Sequence, residues 1–315
     1  MSTEPRVASR PSPLQVLLGD AIDYAGLFPP AQLDMSGAVA EYASYLRSSD
    51  NWALGRFVVP VARLDELATE AEAAVATELR SLGGGAGVWR LSALFGNDVP
   101  ADLERTHVFN DAQASSGGTW VGQVEAIELR ASTPEAIASA ASLVGKAFEC
   151  FVEVPIATDP TTLIRAIGTA ELRAKVRTGG TSSDAFPSSQ QLARFIAACV
   201  AAHVPFKATA GLHHPIRGDY ALTYAADSPR GTMFGFLNVF LAAAFVGAGA
   251  SESTIVELLD ERRPDAVRFD EDGVTWHGHR LTRDELAASR RVAITSFGSC
   301  SFREPLEDLA SLGLL

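Results

Sequence analysis

Residues 172–214, LRAKVRTGGTSSDAFPSSQQLARFIAACVAAHVPFKATAGLHH, decide the reading of this chain. Side chains alternate between the two faces of a strand, so Arg173, Lys175 and Arg177 point one way and Leu172, Ala174 and Val176 the other. In the stretch that ends the segment, Lys207 and Thr209 share a face opposite Phe206 and Ala208. Between them, Ser188 or Ser189 is placed to cap a helix whose Leu192, Phe195, Ile196, Cys199 and Val200 lie on one side. Strand, helix and strand form a βαβ unit, which sets the two lysines on parallel strands of one sheet.

Working outward, strand patterns recur at residues 21–24, 54–60, 88–95, 124–130 and 150–156, most of them followed by a helix. The helices start near residue 36, over 64–82, at Ser132, Pro134 and Glu135 by a capping box, and at Asp159 and Pro160. Residues 96–122 read as irregular, with an extra strand at 106–110, and GGGAG at 83–87 reads as a connector because it precedes a strand. Beyond His214 the pattern predicts helices over 233–246 and 252–261, a hairpin across 268–278, a helical turn at 282–290 and a short C-terminal helix. The eighth strand is either 266–269 or 292–295. Strands alternating with helices in this number predict an α/β fold of the (β/α)8 TIM type, with an open doubly wound sheet as the alternative. The expected organisation is a disordered lead-in over 1–13 and one barrel domain over 14–315, within which 215–290 is open between a lid or interface insertion and a part of the barrel wall.

Composition narrows the function. The 315-residue chain is 47% hydrophobic, 20% charged and carries a net charge of −12 without a basic run, which excludes a nucleic-acid surface. Its most apolar run, 236–250, is too short to span a bilayer and is interrupted by Asn238, Gly247 and Gly249, so a buried helix is expected and no membrane partner. Cys150, Cys199 and Cys300 stand far apart with no CxxC spacing, which points to free thiols in a reducing, cytoplasmic setting.

In a barrel the site lies on inward positions near the strand C-termini. The two-residue alternation puts Asp23, Arg56, Glu128, Glu153, Lys175, Arg177 and Lys207 on inward faces. Charges at such positions are costly to bury unless they pair or bind a ligand, and the excess of cations suits an anionic substrate held by Arg177 and Arg56. Lys175, flanked by Arg173 and Arg177 with Lys207 on the next strand, is expected to have its ammonium form disfavoured and to act as a nucleophile; the alternative is a protonated lysine paired with Glu153. Of His213 and His214, adjacent on an extended segment, at most one shares the face of Lys207, either as a proton shuttle or as a loop hydrogen-bonder. His203, His277 and His279 lack metal-site company, Cys300 reads as a buried inert thiol, and the GLFPP turn at 26–30 shapes the barrel mouth or simply connects.

At KVRTGG (175–180) and KATAGLHH (207–214) the chain resembles the deoxyribose-phosphate aldolase group of class I aldolases, over residues 151–217. In that family strand six carries a KTSTG-type motif with the Schiff-base lysine, and strand seven a KASGGIR-type motif with a second lysine that tunes it. The resemblance implies a lyase that forms a Schiff base with a small anionic carbonyl metabolite, without a cofactor. Lys175 would be the nucleophile, Lys207 the tuner, and Glu153, Glu128 and Asp23 the proton-handling carboxylates. Thr178, Gly179, Gly180, Thr209, His213 and His214 would line the substrate loops, and Ser299 in SFGSC would belong to a phosphate loop after strand eight. The departures are Arg177 in place of a small hydroxyl residue, a single Gly211 in place of a glycine pair, and a longer C-terminal part. A weaker similarity, FVEVPI followed by Asp159, is to enolase-like barrels, which implies a Mg-dependent lyase or isomerase with Asp23, Glu128 and Glu153 as oxygen ligands. A non-catalytic metabolite-binding barrel is the third reading, and homo-oligomerisation stays open in all three.

Overall fold

The computed structural model describes residues 10–82, 88–118 and 120–315. Seven strands, β1 (Ile22–Tyr24), β2 (Leu54–Pro60), β3 (Val88–Leu94), β4 (Val121–Arg130), β5 (Glu149–Glu153), β6 (Arg173–Arg177) and β7 (Phe206–Thr209), run parallel and neighbour one another in sequence order. The eighth, β13 (Ile294–Ser299), pairs with both β7 and β1 and closes the barrel. The chain is therefore a (β/α)8 TIM-type barrel. Helices α2 (Met35–Leu46), α3 (Leu64–Leu82), α4 (Val99–Ser115), α5 (Pro134–Val144), α6 (Thr161–Thr169) and α7 (Ser189–Ala201) fill the crossovers. The outward strand residues meet them: Phe57, Leu91, Ile127, Val152, Val176 and Phe206 are fully buried, and Phe206 meets Phe195 of α7 edge to face at 5.3 Å.

Residues 96–122, expected to be irregular, hold α4 instead of a strand at 106–110. Asp98 caps this helix through the Ala101 N–H, and its inner face is Asp102, Thr106 and Phe109. Two polar residues on that face erase the apolar period that announces a helix, and they are satisfied locally: Asp102 accepts from the Gly96 N–H at 2.6 Å, and Thr106 donates to the Asp102 carbonyl. The connector at 83–87 lies outside the described residues, as do the first nine residues of the expected lead-in. Its end is ordered: Ser12 caps α1 (Pro13–Leu18), whose Leu14, Leu17 and Leu18 are buried.

The long excursion between β7 and β13 is part wall and part rim. A hairpin, β8 (Gly218–Ala221) with β9 (Arg230–Met233), leads into α8 (Phe236–Gly247) and α9 (Glu252–Asp260), which continue the helical ring. Residues 266–269 do not enter the barrel: β10 (Val267–Phe269) is the edge of an antiparallel sheet with β11 (Gly273–Trp276) and β12 (His279–Thr282), and α10 (Arg283–Val292) then returns the chain to β13. A last helix, α11 (Arg303–Ser311), follows. His277 bonds Glu261 at 2.6 Å and His279 stacks on Trp276, so both serve this small sheet. Among the described residues no helix is long and apolar enough to cross a membrane.

Asn238, the polar interruption of the apolar run, is fully buried in α8. It accepts from the Arg217 N–H at 2.9 Å and donates to the Leu258 and Glu261 carbonyls at 2.7 and 3.0 Å, tying the hairpin's entry to the end of α9. Asn238→Leu leaves three main-chain groups without these partners and is expected to lower unfolding free energy by about 3 kcal/mol, about one per group, in urea denaturation.

Candidate active site

The barrel interior is tiered. At the N-terminal end of the strands, Arg56 binds Glu125 and Glu149 at 3.2 and 3.1 Å, Arg90 binds Glu125, and Arg173 binds Glu149. This ionic floor removes Arg56 from the substrate pocket: it points inward as the alternation requires, but too early in β2 to reach the mouth. It equally removes Arg173 from the company of Lys175.

Above the floor lies a chain of alternating charges. Asp23 on β1 meets Lys207 Nζ on β7 at 2.5 Å, Lys207 meets Glu128 Oε1 on β4 at 2.7 Å, and Glu128 Oε2 meets Lys175 Nζ on β6 at 2.8 Å. Lys175 then meets Glu153 on β5 at 2.9 Å, and Glu153 meets Arg130 at the end of β4 at 3.2 Å. Ser296 donates to Asp23 and Ser92 to Glu128, each at 2.7 Å, and the Arg56 N–H donates to Asp23 at 2.9 Å. Gly55 permits that last contact, because a Cβ there would stand 2.4 Å from the Asp23 carboxylate.

Burial alone would raise the Glu128 pKa, but the Lys175 and Lys207 ammoniums outweigh it and hold the carboxyl far below its usual range. Burial likewise opposes the charge on Lys207, and Asp23 with Glu128 reverses this, so Lys207 stays an ammonium. Glu153 is also shifted down, with burial overcome chiefly by Lys175. The nearest charges to Lys175 are thus two carboxylates, in place of the flanking cations anticipated from sequence.

A cavity of about 190 Å³ opens over this network at the C-terminal end of the barrel. Glu128, Arg130, Glu153, Lys175, Arg177, Gly180, Thr209 and His213 line it; Asp23 and Lys207 do not. Lys175 has two described partners for three ammonium protons, so one N–H is left on the cavity side. Lys207 is wrapped by Asp23, Glu128 and the Phe151 ring, 5.3 Å from its Nζ. The GLFPP turn supplies Phe28, Pro29 and Pro30 to the rim, and the hairpin supplies Leu222 and Met233.

Four expected loop residues, Thr178, Gly179, Ser299 and His214, sit elsewhere. Thr178 is buried and donates to the Ala210 carbonyl at 2.6 Å, stitching the β6 loop to the β7 loop. Gly179 receives the Arg177 Nε–H on its carbonyl at 3.1 Å and packs against Phe186, without lining the cavity. Ser299 is buried behind the cavity wall, whereas its neighbours Gly298 and Cys300 line it, because the alternation set by Ser296 reaches those positions. Of the histidine pair, His213 lines the cavity while His214 turns away, bonded to Asp308 at 2.6 Å and stacked on Tyr220. The turn is made by Ala210 and Gly211, both with positive φ; a Cβ on Gly211 would stand 3.0 Å from the Gly179 backbone.

Arg130, Ser92, Ser296 and Glu304 were not singled out by the sequence. Arg130 lies two residues after Glu128, and extending that period would have found it; Ser92 and Ser296 lie on strands for which no inward residue was named. Glu304 is on a helix after the barrel and carries no such signal.

Asp23, Glu128 and Glu153 do not converge as a magnesium cage: an ammonium stands between each carboxylate and the next, where a cation would have to sit. Among the described residues no group of three or more acidic, histidine or cysteine side chains is arranged to hold a metal. No family model, curated protein or solved structure matches this chain.

Lys207→Met leaves Asp23 and Glu128 buried without their shared partner and is expected to cost about 3–5 kcal/mol in denaturant unfolding. Because Glu128 is shifted down from 4.5, its contribution to stability is complete above that pH and is lost as pH falls toward the folded-state value. The acid limb of a melting-temperature profile is expected to report this loss, and Glu128→Gln is expected to flatten it.

Proposed function

We propose that the protein is a lyase of the class I aldolase type, acting on a small anionic carbonyl compound through a Schiff base on Lys175. The observation that carries the reading is the division of labour between two buried lysines. One reaches the cavity with a free N–H between two carboxylates; the other is sealed beneath it and shares Glu128 with it.

Lys175 passes one ammonium proton to Glu153, whose Oε2 is 2.9 Å away, and the amine adds to the carbonyl carbon. The resulting carbinolamine loses its oxygen as water, with Glu153 returning the proton, and leaves a cationic iminium. The nitrogen carries one positive charge before and after, so Glu128 and Glu153 stabilise the iminium without rearranging. Lys207, kept protonated, holds Glu128 ionised throughout. The iminium then accepts the electron pair of the carbon–carbon bond that breaks, giving an enamine, while Glu153, ionised again, takes the proton of the substrate hydroxyl and the other fragment leaves as a carbonyl compound.

Sodium borohydride with pyruvate or dihydroxyacetone phosphate is expected to add a reduced adduct mass to the peptide holding Lys175, and Lys175→Met to abolish it. Absence of adduct on Lys175 with both probes sinks the reading. Thermal stabilisation by a probe in that event would favour a binding protein.

A further inference from the structure

The cavity carries more cation than its carboxylates neutralise. Lys175 and Arg130 are both engaged by Glu153, and Lys175 also by Glu128. Arg177 and His213 are different. Arg177 ends β6, spends its Nε–H on the Gly179 carbonyl at 3.1 Å, and has no carboxylate in ion-pair contact among the described residues. His213 is anchored from behind through Nδ1, 3.3 Å from Glu304 and 3.8 Å from the Cys300 sulfur. Its Nε2 has no partner among the described hydrogen bonds, and the ring lines the cavity. The two residues belong to adjacent loops that touch: Thr178 bonds Ala210, and Gly211 packs on Gly179.

We propose that Arg177 and the His213 imidazolium together form one anion subsite at the β6–β7 side of the cavity, which takes the carboxylate or phosphate of the carbonyl substrate. The assignment of a substrate to this subsite rests on the Schiff-base reading; the subsite itself does not. Glu304 is a positioning residue that acts through His213.

Every charged or titratable neighbour of the ring bears on its protonation. From α11 comes Glu304, and from the end of β13 Cys300. From the loop after β8 comes Tyr224, whose hydroxyl bonds Glu304 at 3.1 Å and contacts Cys300 at 3.5 Å. His214, next in the chain, is committed to Asp308. Burial works against the charged ring, but contacts with Cys300 and Glu304 prevail and raise the pKa from 6.5 to about 9. The ring is therefore a cation at neutral pH, and it loses that charge as pH rises through the raised value. Tyr224 itself is exposed.

The test compares borohydride trapping of dihydroxyacetone phosphate with that of dihydroxyacetone, which has the same carbonyl and no anion, and adds pyruvate as the carboxylate arm. The phosphate or the carboxylate probe is expected to half-saturate at a concentration lower than the neutral probe by about tenfold or more, and which of the two gains more identifies the source. This advantage is expected to shrink toward unity in Arg177→Met and in His213→Gln, and in the wild type to fall as pH is raised through about 9. In Glu304→Gln, where the imidazolium loses its carboxylate, the fall is expected at lower pH. Calorimetric titration with inorganic phosphate reads the subsite without any covalent step. Equal half-saturation by charged and neutral probes overturns the subsite alone, as does an advantage that survives both substitutions or a pH dependence unmoved in Glu304→Gln. Phosphate binding that depends on His213, in a protein that forms no adduct with any probe, overturns the Schiff-base reading and leaves the subsite standing.

Discussion

The structure depends on one chain of alternating charge, Asp23–Lys207–Glu128–Lys175–Glu153–Arg130, buried from Asp23 to Lys175 and reaching solvent at Arg130. A single ionised group in a barrel core is prohibitively costly, and its cost is offset only when an opposite charge and hydrogen bonds meet it in good geometry. Here each internal member meets two opposite charges, and the spare carboxylate lone pairs are filled by Ser92, Ser296 and the Arg56 N–H. All eight barrel strands supply at least one group. Shifting any strand in register would leave a charge or a buried carboxylate lone pair without its partner, so the network specifies the closed barrel as much as it is supported by it.

The same chain separates two tasks along the barrel axis. At the N-terminal end, Arg56, Arg90 and Arg173 are tied to Glu125 and Glu149, a set of ion pairs set apart from the cavity at the other end. At the C-terminal end the chain runs up to Lys175 and Glu153, which open into the cavity, and the loops above add Arg177 and His213. Two carboxylates facing one nitrogen form a preorganised environment for a positive charge there, which is what the proposed Schiff-base reading relies on. The excursion between β7 and β13 completes the enclosure, with the hairpin at the rim and α8 pinned by Asn238 in the wall.

The period-two alternation by itself determined that Lys175, Lys207, Asp23, Glu128 and Glu153 face inward, and with the βα rhythm it narrowed the fold to a barrel or an open doubly wound sheet; closure by β13 decided for the barrel. Backbone geometry enforces those faces whatever the neighbours, so one chain suffices to read them. Depth along the axis was decided only by tertiary structure. Arg56 and Arg173 have the inward phase of Lys175 yet sit in the floor, because the stagger between strands sets the height of each side chain. The partners were decided in the same way: Glu128 meets Lys207 from across the sequence, and Glu304 reaches His213 from a helix beyond the barrel. The closing strand was legible only within a choice of two, since an apolar stretch near residue 267 and one near 294 have the same local pattern. Pairing with the open edges of both β1 and β7 selects the second. Local sequence carries the direction in which each side chain points; which charges meet at the end of that direction is a long-range matter, fixed by how eight strands close on one another.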